Sequence, residues 1–179
     1  MDKIINYDNL RNFAYSNDSL CSGKIQGIIV SFFGLGIADM YSTDTFEGEY
    51  YAKHNIIYLV PYTNPWAWMN NQSIAYTDEV VDVIMKHYNL PKDIPIASVG
   101  ASMGGLGALV YMVYAKYTPV VCVANCPVCD LPYHFTERPD LPRTIYSAIY
   151  NEPGDFQDVL KAHSPLHLID KMPNADYYI

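Results

Sequence analysis

The chain has 179 residues, is half apolar by count, and carries 11 basic against 19 acidic residues for a net charge of −8. That length supports one domain with a core, and 17% charged with 14% aromatic residues excludes a disordered chain. Four cysteines are too sparse for a disulfide scaffold, and no Lys/Arg cluster offers a nucleic-acid surface.

The most apolar stretch, Gly27 to Ala38, is 12 residues with three glycines. It falls short of the roughly 20 residues a membrane span needs. The start of the chain lacks a basic flank followed by an apolar run, so no signal peptide is expected and the expected location is cytoplasmic. The sequons at Asn17 and Asn71 carry no weight in that compartment.

In chain order, Ile25–Phe33 is β-branched and aromatic and stops at Gly34-Leu35-Gly36, which predicts a buried strand entering a turn. Asp44, with Glu47 three residues on, predicts a helix start running to about His54. Asn55–Val60 reads as a second strand closed by Pro61. Asp78 and Glu79 predict the start of a helix whose apolar stripe is Val80, Val81, Ile84, Met85 and Tyr88, with Lys86 and His87 in its last turn. Ile94–Val99 reads as a third strand, followed by an apolar helix through Leu106, Leu109, Val110, Val113 and Tyr117. Pro119–Ala124 reads as a fourth strand. The pattern weakens over 127–173, where short helices are expected near 143–150 and 155–162. Ala175–Ile179 reads as the start of a fifth strand. Strands separated by helices predict an α/β fold: a mostly parallel, doubly wound sheet covered on both faces.

Gly100-Ala101-Ser102-Met103-Gly104 is a G-x-S-x-G segment between a strand and an apolar helix. That context is the one a nucleophile elbow requires: a sharp turn with small flanking residues and the serine exposed above a helix start. Ser102 is therefore the candidate nucleophile. The backbone N–H groups of Met103 and Leu35 are the candidate oxyanion donors. A phosphate-binding turn is the competing reading of the same glycines. A dinucleotide site is disfavoured because Gly34-x-Gly36-x-x-Asp39 lacks the third glycine.

These segments resemble α/β-hydrolases, above all the prolyl-oligopeptidase-like serine hydrolases and esterases. The resemblance runs from about Ile25 onward. It rests on the Gly34–Gly36 turn, on Pro61-Tyr62-Thr63-Asn64-Pro65-Trp66, on the Ser102 elbow, and on His163-Ser164-Pro165-Leu166. Phe33 stands where the family usually has a histidine. The resemblance implies a single hydrolase domain over 1–179, with 127–173 as a lid or insertion. It further implies an acyl-enzyme mechanism on a small ester or peptide substrate, without cofactor. The catalytic acid and histidine are expected beyond Ile179, so the chain reads as truncated and weakly active or inactive. Asp130 is the fallback acid within the chain. Trp66, Trp68 and His134 are candidate pocket residues.

Two readings from other classes compete. One is a non-catalytic binding or assembly module on the same scaffold, with homo-oligomer pairing through an unpaired sheet edge. The other takes Cys122, Cys126 and Cys129, at C-x3-C-x2-C spacing, as iron–sulfur ligands, or as zinc ligands with His134 as the fourth. Against the iron–sulfur reading, Cys122 lies inside a predicted buried strand.

Overall fold

A computed structural model describes residues 4–179. Six strands form one sheet: β1 (Ala14–Ser16), β2 (Gly27–Phe32), β3 (Ile56–Pro61), β4 (Ile96–Ala101), β5 (Val121–Asn125) and β6 (Asp176–Tyr178). Their order is β1-β3-β2-β4-β5-β6. β1 runs antiparallel to β3, and every other pairing is parallel. The parallel α/β expectation therefore holds. The antiparallel edge β1 escaped it, because three residues are too few to show a period.

Among the described residues there are six α-helices, beside short 3-10 turns: α1 (Phe46–Ala52), α2 (Asn71–His87), α3 (Met103–Tyr114), α4 (Leu131–Glu137), α5 (Leu141–Ile149) and α6 (Phe156–Ala162). Two helix starts differ from the sequence reading. α1 is capped by Thr45, whose side chain accepts from Gly48 N–H, and not by Asp44, which accepts from the Tyr15 hydroxyl at 3.2 Å. α2 begins seven residues before Asp78. Asn70 caps it by accepting from Ser73 N–H at 2.9 Å, and Ile74 and Thr77 are buried in its first turns.

α3 packs on β4, β5 and β2, and Leu106, Ala108 and Val110 are fully buried. The segment 127–173 is not a loose appendage. Leu131, Leu141, Ile145, Ile149 and Leu160 belong to the same hydrophobic core as the strands. Burying such a side chain contributes roughly 1.5–3 kcal/mol. Among the described residues, no helix is long and apolar enough to cross a membrane.

Candidate active site

β4 pairs with β2 on one side and β5 on the other, so its carboxyl end opens at the middle of the sheet's rim. The chain turns there at Ser102, which has φ 56° and ψ −121°. A non-glycine residue in that region costs about 1–3 kcal/mol and persists only when its surroundings fix it. Here they do. Ser102 N–H donates to the Asn125 carbonyl at 3.0 Å. The Ser102 carbonyl accepts from Leu106 N–H at 3.1 Å and from Val128 N–H at 3.3 Å. Two glycines allow the turn to close. A Cβ at Gly100 would overlap the Gly104 carbonyl, and a Cβ at Gly104 would overlap the Phe32 carbonyl.

The result is an exposed hydroxyl at the head of a 12-residue helix. Among the described residues, the Ser102 side chain makes no capping hydrogen bond. Met103 N–H heads α3, in the turn whose N–H groups lack intrahelical acceptors. The ideal Cβ position of Gly104 lies 2.8 Å from the Phe33 carbonyl, which brings the end of β2 against the start of α3. The turn that follows is held by Ile37 N–H donating to Gly34 at 3.3 Å and Gly36 N–H donating to Pro65 at 3.0 Å. Leu35 N–H, between them, has no partner among the described residues. Acyl transfer requires a nucleophile with unengaged amide donors around it, and Met103 N–H and Leu35 N–H lie on the two segments that meet at this turn.

The other candidates have the following settings. Asp130 caps α4, accepting from Tyr133 N–H at 3.2 Å, with His167 Nε2 at 3.9 Å. His134 pairs with Glu137 at 2.5 Å and meets the Trp68 ring edge-on at 5.5 Å. Trp68 is fully buried, and its indole N–H donates to Thr144 Oγ1 at 3.2 Å, so it packs the core and lines no surface pocket. Trp66 is 45% exposed and lines a cleft of about 520 Å³ between the loop after β3, the first turns of α2 and the end of α5. Cys122 is fully buried in β5, and burial pushes its thiol up to about 12, whereas Cys126 and Cys129 are exposed. Among the described residues, no three His, Cys, Asp or Glu side chains are grouped to hold a metal. The cluster reading fails on the placement of Cys122.

His163 is a residue whose setting the sequence did not disclose. It is 3% exposed, and its Nδ1 has no hydrogen-bond partner among the described residues. Burial lowers its pKa below the ordinary 6.5, opposed by the Glu152 charge and a backbone hydrogen bond at Met69. Next to it, Ser164 is fully buried. Its hydroxyl donates to the Cys129 carbonyl and accepts from Leu131 N–H, both at 3.0 Å.

No family model matches the chain, and no curated protein matches it. Solved structures do. The fluorophosphonate-binding serine hydrolase FphF of Staphylococcus aureus superposes with a TM-score of 0.64 at 21% identity, over 84% of this chain and 60% of that one. A puromycin hydrolase gives 0.66 at 14%, over 87% of this chain and 25% of that one. An S-formylglutathione hydrolase from Agrobacterium tumefaciens gives 0.60 at 14%, over 86% and 63%. The chain thus spans less than two thirds of the length of each of these structures. With these superpositions and the strand order, the chain has the α/β-hydrolase fold.

Proposed function

We propose that the chain carries the nucleophile and oxyanion half of a serine hydrolase acting on a neutral ester or peptide-like acyl group. The observation that carries this reading is the backbone of Ser102, strained and pinned so that the residue stands exposed at the head of α3. Ser102 Oγ attacks the carbonyl carbon, and the two amides hold the oxyanion that forms. The acyl-enzyme is then released by water. The structural neighbours, among them a fluorophosphonate-binding serine hydrolase and an S-formylglutathione hydrolase, favour the same chemistry.

No histidine hydrogen-bonds to Ser102 among the described residues. A serine without a base stays protonated, so turnover by the 179-residue chain is expected to be slow. The test is labelling with a fluorophosphonate, with and without added imidazole as an external base. Modification mapped to Ser102, increased by imidazole and absent from Ser102→Ala, is the expected result. Labelling that survives Ser102→Ala overturns the assignment.

The unengaged hydroxyl also favours a second reading, a non-catalytic binding or assembly module. Its structural feature is β6, a three-residue strand at the sheet edge with Tyr178 exposed. A folded protein that is oligomeric by light scattering and never labelled at Ser102 would support it.

A further inference from the structure

The cleft beside Trp66 has a chemistry that the elbow does not explain. Four aromatic rings stand in its walls, Tyr62, Trp66, Tyr76 and Tyr150, of which Trp66 is 45% and Tyr150 57% exposed. Between them stand side-chain amides. The Asn64 oxygen is turned onto Trp66 N–H at 2.9 Å, which leaves its NH2 group as a donor. Gln72 and Asn151 also line the cleft, and their side chains have no hydrogen-bond partner among the described residues.

Charge is nearly absent. Among the described residues, no Lys, Arg or His lines the cleft to balance a phosphate or carboxylate. Its one carboxylate, Glu152, is occupied: one oxygen accepts from Asn71 N–H at 2.8 Å and the other from the Asn71 side-chain amide. Burial pushes the Tyr76 phenol up to about 12, so it stays neutral. The loop that carries Trp66 is tied to the Gly34–Gly36 turn. Pro65, adjacent to Trp66, accepts the hydrogen bond from Gly36 in the oxyanion turn at 3.0 Å.

We infer that this cleft binds a neutral saccharide, the alcohol part of an acylated-sugar substrate of Ser102. A sugar ring has a face of C–H groups carrying partial positive charge, which suits the negative face of Trp or Tyr. Its rim of hydroxyls both donates and accepts, as Asn and Gln amides do. A quaternary ammonium would use the rings but leave the amides idle, and Glu152 is already engaged by Asn71. An extended peptide would need an open backbone edge, whereas the free groups here are side chains. This inference rests on the hydrolase reading for its chemistry. The acyl carbon leaves the sugar oxygen for Ser102 Oγ, and the serine proton ends on the freed sugar hydroxyl.

Binding is testable apart from catalysis. Calorimetry with xylotetraose, cellotetraose and maltotetraose, beside choline and the peptide Gly-Pro-Gly-Pro, is run on the wild type and on Ser102→Ala. At least one tetrasaccharide is expected to bind both proteins, with a Kd on the order of 10 µM to 1 mM. Trp66→Ala and Tyr150→Ala, each checked for folding by circular dichroism, are expected to weaken it roughly tenfold or more. The inference is overturned if no tetrasaccharide binds at about 10 mM. It is equally overturned if binding survives both aromatic substitutions, or if choline or the peptide binds through Trp66 while the sugars do not. Fluorophosphonate labelling reports separately on Ser102, so protein that is labelled but binds no saccharide sinks this inference alone.

Discussion

Gly100 and Gly104 approach so closely that neither strand β4 nor helix α3 could carry a side chain at the crossing. The Gly100 Cβ position falls on the Gly104 carbonyl, and the Gly104 Cβ position falls on the Phe32 carbonyl at the end of β2. Backbone atoms cannot swing aside as a flexible side chain can. Three elements therefore meet at one point, and Ser102 projects from it.

Gly104→Ala is expected to destabilise the fold near the upper end of the roughly 1–3 kcal/mol typical of overpacked sites. Urea unfolding should show the midpoint falling with little change in slope. An alanine accepted at wild-type stability would mean that α3 and β2 sit farther apart than described.

Ser164 ties the segment before β6 to the loop after β5. Ser164→Ala removes the acceptor for the Leu131 N–H and one of two donors to the Cys129 carbonyl, the other being Leu166 N–H at 2.8 Å. Leaving a buried amide unpaired costs about 1–3 kcal/mol. Thermal unfolding should register a drop of several degrees, and Ser164→Thr, which keeps the hydroxyl, should recover part of it.

His163 makes stability depend on pH. Its folded pKa lies below the ordinary 6.5 because burial disfavours the imidazolium. Between those two values the unfolded chain binds the proton and the folded chain does not, so stability rises with pH. The full contribution is present above 6.5 and declines as pH falls toward the folded value. Melting temperatures measured from pH 8 to pH 5 should fall in this window for the wild type. His163→Gln should flatten that portion of the profile, and an unchanged profile would show that another group titrates there.

Local patterns made the strands and the elbow legible. β2, β4 and β5 are each paired on both sides within the sheet and carry mostly apolar runs, and G-x-S-x-G lies within five residues. The first turns of α2 were missed because Asn71–Thr77 looks polar. Its Asn70 cap signals the start, but Asp78 and Glu79 imitate one further on. α4 was missed although Asp130, with Pro132 in the first turn, is a capping signature. The Asn17 sequon is a buried structural amide that donates to the Gly48 and Ile56 carbonyls. The cleft was out of reach because it joins 62–76 to 147–152, far apart in the chain. Trp66 and Trp68, two positions apart, part company there: one opens to the cleft and the other fills the core.

The central claim is that position 102 stands in the open at the positive end of α3, beside free amide hydrogens. Its most direct test is the thiol pKa of Ser102→Cys, from the pH dependence of iodoacetamide alkylation followed by peptide mass spectrometry. A thiol there is expected to ionise below the ordinary value of about 8.5 and to react faster than Cys126 or Cys129. A thiol that ionises at or above that value, or that resists alkylation while the protein is folded, would contradict the account.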